Sequence, residues 1–212
     1  MDGNGRWALK KKLKRKDGHR EGIKTCIKLI NNISKLNFNI DEISFYVFSA
    51  ENWQRPFSEV KHLFKLIEDY YVEFEHTAIN RNFKIRHYGT KKRLNKKILD
   101  IIEKVTKKTK KNKSKKINLV FNYGSRDEIV EAANKVRNKI IKIKSINNNL
   151  YTKESNEPDL IIRTGGELRL SNFMLWQSAY AEFYFTKKLW PDFKLADLNK
   201  ILINYKNRSR KY

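Results

Sequence analysis

The chain has 212 residues, 40% of them hydrophobic, enough apolar material for a folded core and too much for a disordered chain. Its apolar runs, such as Ile43 to Ala50, fall far short of the ~20 residues of a membrane span, no signal-peptide pattern follows Met1-Asp2-Gly3, and the single Cys26 excludes an internal disulfide, so a cytoplasmic protein is expected. The 47 Lys and Arg against 23 Asp and Glu give a formal charge of +24, which attracts polyanions or else reflects a composition drift toward Lys, Asn and Ile; charge alone decides nothing.

Apolar residues at Ile23, Ile27, Ile30, Ile33 and Leu36 form a helical stripe over 21–36. Ile43 to Phe48, short, aromatic and β-branched, reads as a strand buried on both faces. Val60, Leu63, Phe64, Ile67, Tyr71, Phe74 and Ala78 mark a long helix with Ser58 as its N-cap. Phe83, Ile85 and His87 alternate as a strand, and Leu94, Ile98, Ile101 and Val105 return to helical spacing. The basic run at 107–116 is expected to be an exposed loop. Ile117 to Asn122 reads as a strand ended by Gly124, and Ser125-Arg126-Asp127-Glu128 as a capping box opening a helix to about Lys142. Asn147-Asn148-Asn149 and the surroundings of Pro158 read as loop, Asp159 to Arg163 and Glu182 to Thr186 as strands, and Leu195 to about Asn207 as a last helix. Strands alternating with helices predict an α/β fold with a mainly parallel central sheet in one domain over 1–212, its ligands at the carboxyl ends of the strands.

The chemically unusual segments fall at those ends. Asp2-Gly3-Asn4-Gly5-Arg6-Trp7 puts two glycines beside a carboxylate and an arginine; glycines let backbone N–H groups converge on phosphate oxygens. An Asp beside such a nest suits a diphosphate only if Mg²⁺ bridges the two, although a Gly-x-Gly turn alone is weak evidence. Phe48 to Pro56 crowds Glu51, Asn52, Trp53 and Arg55 into one loop. Asp159 to Glu167, followed by Arg169 and Ser171, offers two arginines and a hydroxyl around a Gly-Gly turn, a set that can hold a second diphosphate through forked hydrogen bonds. Glu182 is a lone carboxylate in an aromatic strand and wants a cation. One Cys and four scattered His suggest neither a triad nor a zinc site.

Asp-Gly-Asn-Gly-Arg-Trp-Ala, Phe-Ser-x-Glu-Asn-Trp-x-Arg-Pro, Asp-Leu-Ile-Ile-Arg-Thr-Gly-Gly-Glu and Trp-Gln-x-Ala-Tyr-Ala-Glu-x-Tyr-Phe, in that order, resemble the signatures of the undecaprenyl diphosphate synthase family of cis-prenyltransferases along the whole chain. The resemblance implies elongation of an allylic diphosphate, farnesyl diphosphate, by isopentenyl diphosphate on a Mg²⁺-dependent site, giving a polyprenyl diphosphate of the undecaprenyl type that serves as cell-wall lipid carrier. It implies that Asp2 works through Mg²⁺ and that Glu182 is a second magnesium ligand. Gly3, Asn4, Gly5 and Arg6 would hold the allylic diphosphate, with Arg15, His19 and Arg55 closing round it and Trp7 beside it. Ser49, Ala50, Glu51 and Trp53 would contact substrate, and Asn52 would accept the proton. Arg163, Arg169, Leu170 and Ser171 would hold isopentenyl diphosphate. A homodimer, peripheral membrane contact through the product, no nucleic-acid partner, and an apolar tunnel are implied as well; Phe64, Ile67, Tyr71 and Phe74 could line the tunnel, and core packing explains them equally.

The chain departs from the family pattern in places. Only Met1 stands where relatives carry an apolar strand, so the native protein is expected to begin upstream. Leu168 stands where relatives often have His, the region between Lys144 and Glu157 looks short, and the chain stops at Lys211-Tyr212 where relatives continue through a glycine. Two other readings compete. A non-catalytic partner subunit would be expected to lack the Asp-Gly-Asn-Gly loop, and a nucleic-acid binder would show an exposed basic stripe with stacking aromatics.

Overall fold

In the computed structural model, which describes residues 1–138 and 140–208, the chain runs through α1 (Asn4–Lys10), α2 (Arg15–Asn32), β1 (Glu42–Ser49), α3 (Phe57–Asn80), β2 (Lys84–Tyr88) and α4 (Lys96–Lys108). It continues through β3 (Lys116–Tyr123), α5 (Ser125–Lys135), α6 (Ile143–Asn147), β4 (Leu160–Arg163), β5 (Glu182–Phe185) and α7 (Leu195–Lys206). The apolar run of β3 makes it the central strand of a parallel sheet ordered β1-β3-β2, with Phe45 opposite Leu119 and Ile85 opposite Ile117. β4 and β5 form a second parallel pair, Leu160 opposite Glu182 and Arg163 opposite Phe185. All pairings are parallel, as the alternation of strands and helices requires, but they fall in two sheets.

The main core lies where α2 and α7 cover β1, β3 and β2. Ile30, Ile33, Phe45, Phe83, Ile117, Trp190, Phe193 and Ile201 are buried together there, and Cys26 packs at their margin with its thiol pushed up to about 12 by burial. Beside this core, Phe48, Val60, Phe64, Ile98 and Phe121 form a second cluster beneath α3 and α4. Phe64 thus packs on Phe48 and Phe121, while Tyr71 and Phe74 lean on the main core. No helix among the described residues is long and apolar enough to cross a membrane.

Several expectations need correction. Residues 4–10 are helical, although two glycines and an Asn argue for a turn. α2 begins at Arg15, six residues before the apolar stripe becomes visible. α3 opens at Phe57 behind Pro56, whose φ of −50° sets the first turn, so Ser58 lies inside the helix. The capping box at 125–128 does not form. Gly124 takes the cap position, Ser125 Oγ accepts Leu175 N–H at 2.9 Å, and Glu128 turns inward to three donors: Tyr123 O–H, Tyr151 N–H and the Gln177 amide. α5 stops at Lys135, and its expected continuation passes Lys139, which lies outside the described residues, as do Lys211 and Tyr212. The short α6 lies between the expected helix and the expected loop, takes in the first residue of that loop, Asn147, and buries Ile146 against Ala132 and Val136.

Candidate active site

The loop that opens the chain is fixed at the carboxyl end of β4. Asp2 N–H donates to Thr164 Oγ1 at 2.9 Å, Thr164 O–H donates back to Asp2 O at 2.9 Å, and Trp190 N–H donates to the same oxygen at 3.0 Å. Gly3 caps α1 with φ at 107°, and a Cβ there would lie 2.8 Å from Leu189 Cδ2, so a side chain is excluded both by conformation and by space. α1 then rests on α2 at glycine: a Cβ on Gly18 would lie 2.0 Å from Asn4 O. This close approach holds the first-turn amides of α1 at the strand ends, where an anion meets unpaired N–H groups and the positive end of the helix.

Asp2 sits between two arginines. Its Oδ2 accepts from Arg163 Nη2 at 3.0 Å, and its Oδ1 accepts the Gly3 N–H at 2.7 Å with Arg6 Nη2 at 3.5 Å. Burial pushes the carboxyl up, but the hydrogen bond and charge of Arg163, the Gly3 N–H and Arg6 outweigh it and hold the pKa below the ordinary carboxylate range. Arg6 reaches Glu167 at 3.3 Å and lies over Gly165, so it bridges the first loop and the Gly-Gly turn.

The cations expected around the allylic diphosphate do converge, on a residue that the sequence did not single out. Glu59 Oε1 in α3 receives Arg55 Nη1 at 2.7 Å, Arg15 Nε at 3.3 Å and His19 Nε2 at 3.9 Å. Arg15 Nε lies 3.4 Å from where a Cβ on Gly5 would stand, which brings this cluster to the nest. Burial pushes the His19 imidazole down; Glu59 pulls it up, Arg55 and Arg15 push it down, and the result is about 4. His19 is therefore neutral at physiological pH, and its buried Nδ1 has no partner among the described residues, a polar atom left for a ligand to satisfy.

The loop after β1 is a tight 3-10 turn over Ala50–Gln54. Asn52 Oδ1 accepts Ser49 N–H at 3.1 Å, Ala50 packs on Gly124, and Glu51 accepts from Asn172 Nδ2 at 2.8 Å. Trp53 donates its indole N–H to Asn122 Oδ1 at 2.7 Å, with Arg93 stacked 4.5 Å from its ring. Asn122 is a second residue the sequence reading passed over. Buried at the end of β3 with φ at 55°, it also donates to Thr90 O and Lys92 O at 2.8 Å each, tying three strand-end loops together.

On the other side, Arg163 donates to Arg169 O, to Ser171 Oγ at 2.8 Å and to Asp2, so one guanidinium joins the two halves of the site. Arg169 projects outward and pairs with Glu167 at 2.7 Å, and Leu170 lies half-exposed before a turn in which Ser171 and Asn172 take positive φ.

Three of the expected residues are placed differently. Trp7 is buried against Ala8 and Leu189 and donates to Asp192 Oδ1 at 2.8 Å, so its ring supports α1 from behind. The Asn4 side chain faces Gly22 of α2, its Oδ1 without a partner among the described residues, so that Asn4 offers the nest its backbone. Glu182 opens β5 at the end of the β4–β5 pair opposite Asp2 and holds Arg208 at 2.5 Å. Within one chain the two carboxylates do not meet, and the described residues hold no cluster of three acidic, His or Cys ligands.

A carboxylate and helical amides flanked by arginine clusters at the carboxyl edge of parallel strands make an anion-binding site on an α/β fold. The family model described as "Putative undecaprenyl diphosphate synthase" matches residues 1–212. The chain is 42% identical to an isoprenyl transferase of Leptospira interrogans, covering 100% of this chain and 91% of that one, and 40% identical to an isoprenyl transferase of Oceanobacillus iheyensis, covering 100% and 87%. Among solved structures it resembles lavandulyl diphosphate synthase of Lavandula x intermedia in complex with dimethylallyl diphosphate, with a TM-score of 0.94 and 32% identity over 99% of this chain and 94% of that one. It likewise resembles a probable undecaprenyl diphosphate synthase of Campylobacter jejuni, with a TM-score of 0.80 and 34% identity over 90% and 91%. The chain belongs to the undecaprenyl diphosphate synthase family of isoprenyl transferases.

Proposed function

We propose that the chain elongates an allylic diphosphate, with farnesyl diphosphate as primer, by successive cis addition of isopentenyl diphosphate, giving a long polyprenyl diphosphate of the undecaprenyl type. The observation that carries this reading is the pairing of Arg163 with Asp2 at 3.0 Å, which joins a nest-and-arginine cradle to a second arginine–hydroxyl cradle. Two adjoining diphosphate sites suit a reaction between two diphosphates.

Departure of diphosphate from an allylic carbon leaves a delocalised cation, so no nucleophilic side chain is required. The leaving charge is met by the first-turn amides of α1, by Arg15 and Arg55, and by a neutral N–H of His19. Arg163, Arg169 and Ser171 align the second substrate so that its alkene attacks the allylic carbon. Diphosphate leaves with the C–O electron pair, the alkene's π electrons form the new C–C bond to the allylic cation, and the resulting cation loses one proton to restore a double bond. Asn52 Oδ1 is the acceptor the family resemblance names; Ser49 N–H occupies one of its lone pairs, so the other must serve.

Asp2 fits a magnesium role: it is ionised, 38% exposed, and single, the donor set Mg²⁺ takes when phosphate oxygens and waters complete its shell. When bound there, the ion neutralises the diphosphate charge that Asp2 alone would repel. Glu182 could join such a shell only across a boundary between chains, which accords with a homodimer. The growing chain would run along the face that carries Phe64, Ile67, Tyr71 and Phe74, and the product would hold the enzyme at the membrane. Farnesyl diphosphate, labelled isopentenyl diphosphate and Mg²⁺ should yield butanol-extractable long-chain label. Absence of label with correctly folded protein would refute the activity and favour a partner-subunit role.

A further inference from the structure

Outside the site, one surface segment stands apart in chemistry. Residues 9–16, Leu9-Lys10-Lys11-Lys12-Leu13-Lys14-Arg15-Lys16, join the end of α1 to the start of α2, and all eight are exposed. Six carry positive charge and none is acidic; the other two are leucines, 73% and 44% exposed. Among the described residues, Lys10, Lys12, Lys14 and Lys16 form no ion pair, and Lys11 lies over Trp7 at 4.8 Å. Leu9 and Lys10 also line an open pocket with Arg6, Gly165 and Gly166, so the segment borders the diphosphate site. Phe57, 81% exposed, opens α3 on the other flank, where Glu59 of the same helix holds Arg15 and His62 approaches Lys16 O at 3.4 Å.

We propose that residues 9–16, with Phe57, dock the mouth of the site onto an anionic lipid bilayer. Exposed leucines set among unpaired lysines suit the boundary between headgroups and acyl chains: the leucines enter it, and the lysine stems spread over it with their ammonium groups among phosphates. A single strand of nucleic acid would instead call for exposed aromatics between the cations, and residues 9–16 offer leucine. The segment differs in this from the other lysine run, 107–116, whose non-basic residues are polar and which lies at the opposite end of the strands. Docking beside the cradle would present the site to substrates and products that themselves reside in lipid, and to that extent the inference rests on the proposed reaction.

The test is sedimentation of the full chain with vesicles of phosphatidylcholine, alone or with phosphatidylglycerol, without substrate. Binding should require the anionic lipid and weaken as salt rises. Lys10→Gln/Lys11→Gln/Lys12→Gln should lower partitioning about fivefold per lysine, about a hundredfold in all. Leu9→Ser/Leu13→Ser should lower it with the salt dependence unchanged. Lys110→Gln/Lys111→Gln/Lys113→Gln should leave it within twofold. Equal losses from both lysine triplets, or no binding by the unmodified chain, would overturn the proposal, as would loss of DNA-duplex binding in the first triplet with vesicle binding retained. All variants are checked for unchanged melting temperature and for turnover of short primer in detergent. Because the binding assay contains no substrate, a chain that docks without turnover would refute the reaction and leave the surface standing.

Discussion

The two halves of the site are built on opposite plans. On the α2–α3 side, Arg15, His19 and Arg55 are gathered by one mostly buried carboxylate, Glu59, before any ligand arrives. On the β4 side, Arg163 is largely buried and committed to Asp2, while Arg169 is 62% exposed and held only by Glu167 of its own loop. The first half has little ordering left to do if a diphosphate binds, whereas in the second the exposed Arg169 is still to be ordered. In the proposed reaction, with a held primer and a repeatedly exchanged second substrate, such a division would be useful.

The largest expected effect lies at the joint. Asp2→Ala should cut turnover by about 100-fold or more, with allylic diphosphate affinity changed far less, since the residue acts on the developing charge. Retention of more than a tenth of the rate in Mg²⁺ would remove Asp2 from the chemistry. Next, Arg15→Ala and Arg55→Ala should raise KM for the primer, and Arg163→Ala and Arg169→Ala that for isopentenyl diphosphate, by roughly ten- to a hundredfold each, the worth of one charge-assisted contact. The exposed Arg169 should lie at the low end of that range. Arg163→Ala should lower kcat too, because it releases Asp2; equal effects of all four on both substrates would erase the distinction between the halves.

A pH titration probes the pre-built half. The His19 pKa falls from 6.5 to about 4 on folding, so the unfolded chain takes the proton first. Stability is whole above pH 6.5 and is lost as pH falls toward 4, by about 2 kcal/mol between pH 7 and 5. His19→Gln should remove that part of the slope in denaturant midpoints. The smallest effect is expected at Asn122. Glycine accepts its φ of 55°, so Asn122→Gly removes the hydrogen bonds and the buried amide without straining the backbone, and kcat should drop about tenfold through a loosened Trp53 turn, with the Trp53 indole N–H resonance displaced. Additive effects in the cycle with Trp53→Phe would show that Asn122 acts elsewhere.

Motifs, strands and the parallel arrangement were legible because each is written in a few neighbouring residues. What escaped depended on distant pairings. Nothing near Glu59 announces that Arg15 and His19 will arrive from another helix, although its spacing of four from Arg55 was a usable hint. Asn122 reads as the last residue of an apolar strand, and its role appears only when the loops after β1 and β2 reach it. The family resemblance sets Trp7 beside the ligand, yet helical geometry turns it to the far face of α1, toward Asp192. Ser58 and Ser125 have the right chemistry for caps but stand two residues and one residue past the cap positions, which Pro56 and Gly124 occupy.

The chain contains eight glycines among 212 residues, and their positions form a map. Gly3 and Gly5 bound the nest, Gly18 and Gly22 receive α1 on α2, Gly89 and Gly124 follow β2 and β3, and Gly165 and Gly166 follow β4. None is spent on a turn at the opposite end of the strands, where Asn82 takes the positive φ before β2. In a sequence so tilted toward lysine and asparagine, the rarest backbone freedom traces the outline of the working edge, and a glycine census of equally skewed relatives would locate theirs from residue order alone.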